Sequence, residues 1–367
     1  MIGKIFKLAS GVIAAAFAFF IFQMAKLFPK ATESVYARGI YPAIAKFFTA
    51  LTGKTSISIG EVLVYFALVL LVFLIVYILF AFFKPKGQKL VTLGKRLLGL
   101  LTTFCILYTT FVFFWGLNYA RMPLADSMGL TVETYSKEEL ISLCESLIVK
   151  TNDARTVVLE DNYKTFTLSR SREDILKDVD RVYAENAEPY MHTVSGVHVK
   201  KVLTKNLLST TLTSGIYCPF TFEANINNEM YDLFYPVTAA HEYAHLQGFA
   251  REDECNFIAW YVMASSDEPD YVYSAYAFAL SYVMNALYQE SPEDYNRLCE
   301  TFSDGVKRDF SRESAYWQAF RNTKIAESSE KIYDTYLHAN GIPDGNKSYG
   351  RMIDLILALK KEERPLF

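Results

Sequence analysis

His241-Glu242-Tyr243-Ala244-His245-Leu246-Gln247-Gly248, followed after three intervening residues by Glu252-Asp253-Glu254-Cys255-Asn256, is the stretch on which the reading of this chain turns. Histidines four apart on a helix stand one above the other on the same face, about 6 Å apart along the axis. Two imidazoles so placed can share one tetrahedral ion, and zinc suits such donors. Glu242, beside the first histidine, is positioned to take a proton from a metal-bound water. The chain has five histidines, at 192, 198, 241, 245 and 338, and two of them fall in this motif.

Catalytic zinc usually has three protein ligands and one open position. A histidine six residues after His245 would supply the third, but Arg251 stands there. On an unbroken helix Glu252 would share the face of His241 yet lie about 16 Å further along, too far to reach the same ion. The chain must therefore turn back, and Gly248 suits the end of the first helix. A second helix beginning near Arg251 or Glu252 would project Glu252 and Asn256 from one face. Glu252 is then the expected third ligand and Glu254 the alternative. Asn256 is expected to hydrogen-bond the outer ring nitrogen of a ligand histidine. The Glu-x-x-x-Asn pattern resembles the second motif helix of gluzincin peptidases.

The first 120 residues are much the more apolar part of the 367. Three uncharged segments, about 8–25, 62–83 and 97–120, have the length that a bilayer requires. Trp115 and Tyr119 lie near the end of the third, as interfacial aromatics do. Lys84, Lys86, Lys89, Lys95 and Arg96 fill the connection between the second and third, and Lys4 and Lys7 precede the first. By the positive-inside rule both sites face the cytoplasm, although the loop from Lys30 to Glu61 carries basic residues too. The expected organisation is a membrane domain over 1–120 and an extracytoplasmic domain over 121–367, with the N-terminus cytoplasmic. The lipid bilayer is thus the first expected partner. A net charge of −3 gives no reason to expect nucleic acid. Cys105, Cys144, Cys218, Cys255 and Cys299 show no paired spacing and are expected to be free thiols.

Beyond Arg121 the pattern is mainly helical. Ser136 and Glu139 have capping-box spacing ahead of Leu140, Leu143 and Leu147. Further helices are expected over 172–187, 292–303, 311–322, 325–340 and 349–360. Val197 to Leu203 and Gly215 to Phe220 read as strands, Pro219 making the second an edge or a strand end. The segment 215–227, in particular Phe222 to Asn227, is the candidate sheet edge for an extended peptide or protein substrate. Tyr271 to Tyr288 is uncharged over eighteen residues. Its many tyrosines, serines and asparagines favour a buried core helix over a fourth span.

The assembled pieces resemble the membrane-protein family known as domain of unknown function 3810. The resemblance rests on Trp115-Gly116-Leu117-Asn118-Tyr119-Ala120-Arg121, Gly215-Ile216-Tyr217-Cys218-Pro219-Phe220, the two motif segments and Tyr273-Ser274. It implies a metallopeptidase-like protein and leaves the substrate open; Cys255 stands where the family usually has Ala. The expected fold class is mainly α: three N-terminal transmembrane helices, then a mostly helical, zincin-like domain with a small β-sheet.

The expected function is that of a membrane-anchored zinc metallopeptidase. His241, His245 and Glu252 would hold Zn2+ and Glu242 would serve as general base. Tyr273, Tyr276 and His338 are the candidate oxyanion donors, and His192 and His198 are expected to be solvated and without a role. The alternative is a non-catalytic sensor or assembly factor whose zinc is closed off by a fourth protein ligand, Glu254 or a distant histidine.

Overall fold

The computed structural model describes residues 2–362 and 366. Helix α1 (Ile2–Leu27) leads through a π-helical stretch (Thr32–Ile40) into α2 (Tyr41–Thr52), and α3 (Ile59–Leu79) and α4 (Lys86–Phe114) follow. Three of these elements are long and apolar enough to cross a membrane: Ser10–Leu27 within α1, α3, and α4. Side chains along α3 such as Val62, Val69 and Phe73 are exposed, which water would penalise and lipid would not. α1 and α4 pack closely at Gly11, whose missing Cβ leaves room for Thr102. The third span ends earlier than its expected limit at 120. Trp115 leaves the helix, and Gly116–Ala120 forms a buried 3₁₀ turn.

The connection from 30 to 61, read from sequence as a loop, is largely helical. Tyr41, Ala45, Thr49 and Thr52 recur at helical spacing and are buried, while Phe47 and Leu51 point outward. Pro42 sits in the first turn, where its missing N–H costs nothing.

The rest of the chain builds α5 (Lys137–Arg155), α6 (Arg172–Asn186), α7 (Tyr235–Leu246), α8 (Glu252–Ala264) and α9 (Pro269–Glu290), then α10 (Pro292–Cys299), α11 (Asp304–Gln318), α12 (Lys324–Ala339) and α13 (Met352–Lys361). The Ser136–Glu139 capping box is formed. α11 starts earlier than expected because Ser303 caps it through Val306 N. α9 is a core helix: Ser274, Ala275, Ala279, Leu280, Val283 and Leu287 are buried, and it packs against α5, α7 and α8. One apolar cluster runs from Ala18 and Phe22 in α1 through Tyr41 and Trp115 to Tyr243, Trp260 and Leu357. Helices α1 and α4 thus share a core with the domain that follows. All five cysteines are free.

Strands β1 (Lys200–Val202), β2 (Gly215–Cys218) and β3 (Glu223–Asn227) form one sheet in the order β1-β3-β2. β3 is parallel to β1 and antiparallel to β2, with Gly215 opposite Ile226 and Cys218 opposite Glu223. The edge expected at Gly215 to Phe220 is present as β2, but Phe222 to Asn227 does not supply one. Glu223 to Asn227 is the central strand, buried throughout, and β1 and β2 are the two edge strands.

The sheet is fastened to the end of α3. The Glu223 carboxylate accepts from Ile59 N at 3.2 Å and Gly60 N at 2.6 Å, satisfying donors that a helix N-terminus leaves unpaired. Lys200 pairs with that carboxylate at 2.5 Å and donates to Thr52 O at 2.7 Å. Glu61 accepts from Leu203 N and Thr204 N, both at 2.8 Å.

Candidate metal centre

α7 carries His241, Glu242 and His245, and it is buried along its whole length. Outer groups hold it in place: Tyr183 donates to Ala240 O at 2.6 Å, and Gln247 is bonded to Thr193 N and Val194 N, each at 2.8 Å. The helix ends in a Schellman turn. Phe249 N donates to Ala244 O at 3.2 Å and Gly248 N to His245 O at 2.9 Å. Gly248 has φ +87°, and a Cβ there would lie 2.9 Å from the Tyr41 ring, so both backbone and space demand glycine. The chain doubles back at this turn, and α8 starts at Glu252.

The reversal brings Glu252 to the histidine pair. Its Oε2 is 3.1 Å from His241 Nε2 and 3.4 Å from His245 Nε2. Zinc bonds of about 2.0–2.1 Å at the tetrahedral angle place donor atoms about 3.3–3.4 Å apart. The two distances therefore match edges of a zinc coordination tetrahedron. Among the described residues these three side chains are the group whose ligand atoms all lie within 4.8 Å of one another. The donor set, two imidazole nitrogens and a carboxylate, is one that zinc takes with a fourth position open.

Surrounding groups fix the donors. His245 Nδ1 donates to Phe249 O at 2.8 Å, which leaves Nε2 as the free donor atom. Asn256 lies beside the His241 imidazole and favours its charged form, and its Nδ2 donates to Tyr349 O at 3.2 Å. Tyr333 donates to Glu252 Oε1, leaving Oε2 to face the histidines, and Tyr349 donates to Tyr333 at 3.2 Å. Burial draws the His241 imidazole down toward the neutral form that ligates metals. Against the cost of burial, the two imidazoles hold the Glu252 carboxyl well below its usual range.

Glu242 is buried, and its Oε2 has no hydrogen-bond partner among the described residues. Burial pushes its carboxyl up to about 8. A cation at the neighbouring donors would draw it back down, because an opposite charge favours the ionised form. The side chain lies against strand β2. A Cβ built on Gly215 would come within 2.5 Å of Glu242 Cγ and Oε1, so the strand can approach this carboxylate only through glycine.

Several expectations are corrected. Glu254 is turned away from the histidines: its Oε1 accepts from Leu124 N and from Arg251, both at 2.8 Å. The Tyr273 hydroxyl is committed to Asp309 at 2.6 Å in a separate cluster, because Asp309 is fully buried and also pairs with Arg155. Tyr276 packs beside Lys150, and His338 is an exposed residue whose Nδ1 meets Asp334 O at 2.8 Å. The tyrosines that the fold does bring to the centre are Tyr333, bonded to Glu252, and Tyr349, which donates to Tyr333. His192 and His198 are half-buried rather than solvated, and His192 pairs with Asp180 at 2.8 Å.

The centre adjoins the domain-side ends of the apolar helices. The Trp115 ring, at the C-cap of α4, lies edge-on to His245 with centroids 6.0 Å apart. Tyr41 of α2 donates to Leu246 O at 3.0 Å. Arg121 donates to Gly248 O at 2.8 Å while pairing with buried Glu33, so two segments next to the spans grip the turn between the ligand helices.

No curated protein and no solved structure matches the chain. The family model described as "Protein of unknown function (DUF3810)" matches residues 36–357, from the π-helical stretch to α13 and across the whole centre. The chain belongs to that family.

Proposed function

We propose that the protein is a membrane-anchored zinc peptidase with His241, His245 and Glu252 as metal ligands and Glu242 as general base. The observation that carries this is the pair of tetrahedral-edge distances, 3.1 and 3.4 Å, with the free Oε2 of Glu242 beside them. Glu252 and Asn256 sit one turn apart on the helix after the motif, which supports a gluzincin-like arrangement. A zinc ion at these donors would polarise a substrate carbonyl and lower the pKa of a coordinated water. Glu242 then takes a proton from the attacking water and delivers it to the leaving amine nitrogen. Tyr333 keeps the Glu252 carboxylate oriented, and the Phe249 carbonyl keeps His245 in one tautomer.

The three donors leave a tetrahedral position free, and Glu254, which a closed site would recruit, is occupied elsewhere. That favours turnover over a purely structural metal. The free edge of β2 beside Glu242 offers backbone groups to an extended peptide.

The domain-side ends of α1, α3 and α4 adjoin the domain, and the basic cluster from Lys84 to Arg96 lies at the opposite end of α3 and α4. With the positive-inside rule this supports a cytoplasmic N-terminus and an extracytoplasmic centre. The test is Glu242→Gln in the purified full-length protein. Zinc should remain and hydrolysis of a peptide library should be lost; equal hydrolysis by the variant would exclude this base.

A further inference from the structure

Strand β2 joins two places. At its first residue, Gly215, the backbone lies against the Glu242 carboxylate; at its last, Cys218, it meets the start of α3, where a Cβ on Gly60 would lie 3.2 Å from the Cys218 Cβ. α3 is the most exposed of the three apolar helices, and its first turn is bonded to the sheet through Glu223 and Glu61. Four residues of strand extend about 10 Å from first Cα to last. The free edge therefore leads from the end of a membrane-spanning helix to the candidate base in about four residues.

A second observation gives the same depth. Trp115 ends the third apolar helix and touches the His245 ring edge-on at 6.0 Å. The polar headgroup layer outside the hydrocarbon is about 5–8 Å thick on each side. A centre one aromatic ring beyond the helix end lies within or just above that layer. The rim is apolar as well: Ile57 before α3, Ile216 on the free edge of β2 and Phe220 beyond it are exposed, and the outward face of α2 carries Phe47 and Leu51. These side chains continue the lipid-facing surface of the spans up to the edge strand.

We infer that the substrates are membrane-tethered proteins, cut in the extended segment within the first few residues beyond their own span. This rests on the hydrolase reading above and adds a rule of distance to it. A chain leaving the bilayer beside α3 would pair along β2 from Cys218 toward Gly215 and present to Glu242 a bond about four residues from the membrane surface. Soluble peptides would lack that anchor and its gain in effective concentration.

The test reconstitutes the full-length protein in liposomes with a reporter that has one apolar span and a segment of uniform repeating sequence on the domain side. Cut positions are mapped by mass spectrometry. The expected cuts fall within about ten residues of the span and stay at that distance when the repeat is lengthened. The same segment without its span should be cut at least about tenfold more slowly. Cuts scattered along the repeat, or equal rates for the free segment, would overturn the distance rule while leaving the hydrolase reading intact, provided Glu242→Gln abolishes them. If no peptide is cut, the hydrolase reading fails, and photo-crosslinking from Ile216→p-benzoylphenylalanine decides the remaining question. Adducts confined to the first residues beyond the span support tethered recognition; scattered or absent adducts overturn it.

Discussion

Arg121 donates through Nη1 to the carbonyl oxygen of Gly248 at 2.8 Å, and through Nε and Nη2 to the two carboxylate oxygens of Glu33 at 2.8 and 2.7 Å. One buried guanidinium, just beyond the third span, thus ties the segment after the first span to the turn that joins the two motif helices. Placement of Glu252 under the histidines depends on that turn.

Arg121→Ala would leave Glu33 buried with only the half-exposed Arg38 beside it. The expected cost is about 3 kcal/mol. Arg121→Lys keeps the charge without the planar fork and should fall between. Thermal unfolding of the detergent-purified protein checks this order, and an unchanged midpoint for Arg121→Ala would contradict it.

Gly215→Ala puts a methyl group where the Glu242 side chain lies. The carboxylate is the movable partner, so the fold should survive while the base is displaced. Hydrolysis is expected to fall by about 10²-fold or more, the scale of a misplaced general base, with zinc content unchanged. Metal analysis beside a peptidase assay separates the two effects.

Tyr333→Phe removes the donor to Glu252 Oε1. Loss of such a partner typically weakens metal binding by about 10–100-fold. Competition with a zinc chelator measures it, and unchanged affinity would show that the carboxylate needs no such orientation.

Glu313 in α11 is buried, accepts from Trp317 Nε1 at 2.6 Å through one oxygen and has no partner on the other among the described residues. Burial pushes its carboxyl up to about 7, from an ordinary 4.5. With the folded value raised, stability is full below the unfolded value and is lost as pH rises from there through about 7. Glu313→Gln stays neutral and keeps an acceptor for Trp317. It should match the wild type near pH 4.5 and exceed it by about 2–3 kcal/mol at pH 8. Urea unfolding at both pH values tests this; a gap that shrinks as pH rises would reverse the sign.

The ligand helices were legible because their constraints are local. Two histidines on one face need a third donor, only a reversal can supply it, and Gly248 marks where. The placing of Asn256 on the face of Glu252 followed from helical spacing. The long apolar runs announced the spans in the same way. Tyr333 and Tyr349 were not legible, since they meet Glu252 and Asn256 across 81 and 93 residues of chain and nothing nearby distinguishes them among twenty-five tyrosines. Arg121 was visible as part of a motif, but its contact with Gly248 is tertiary. Pro219 marked the edge at Gly215 to Phe220, but Phe222 to Asn227 was misread as edge because alternation cannot tell a central strand from an edge strand; only pairing order does.

Zinc content per chain tests the central claim most directly, measured on full-length protein purified without chelators and on its Glu252→Ala variant. About one zinc per wild-type chain, lost in the variant, is the predicted result. A wild-type protein free of metal, or a variant that retains its full zinc, would contradict the assignment of His241, His245 and Glu252 as one site.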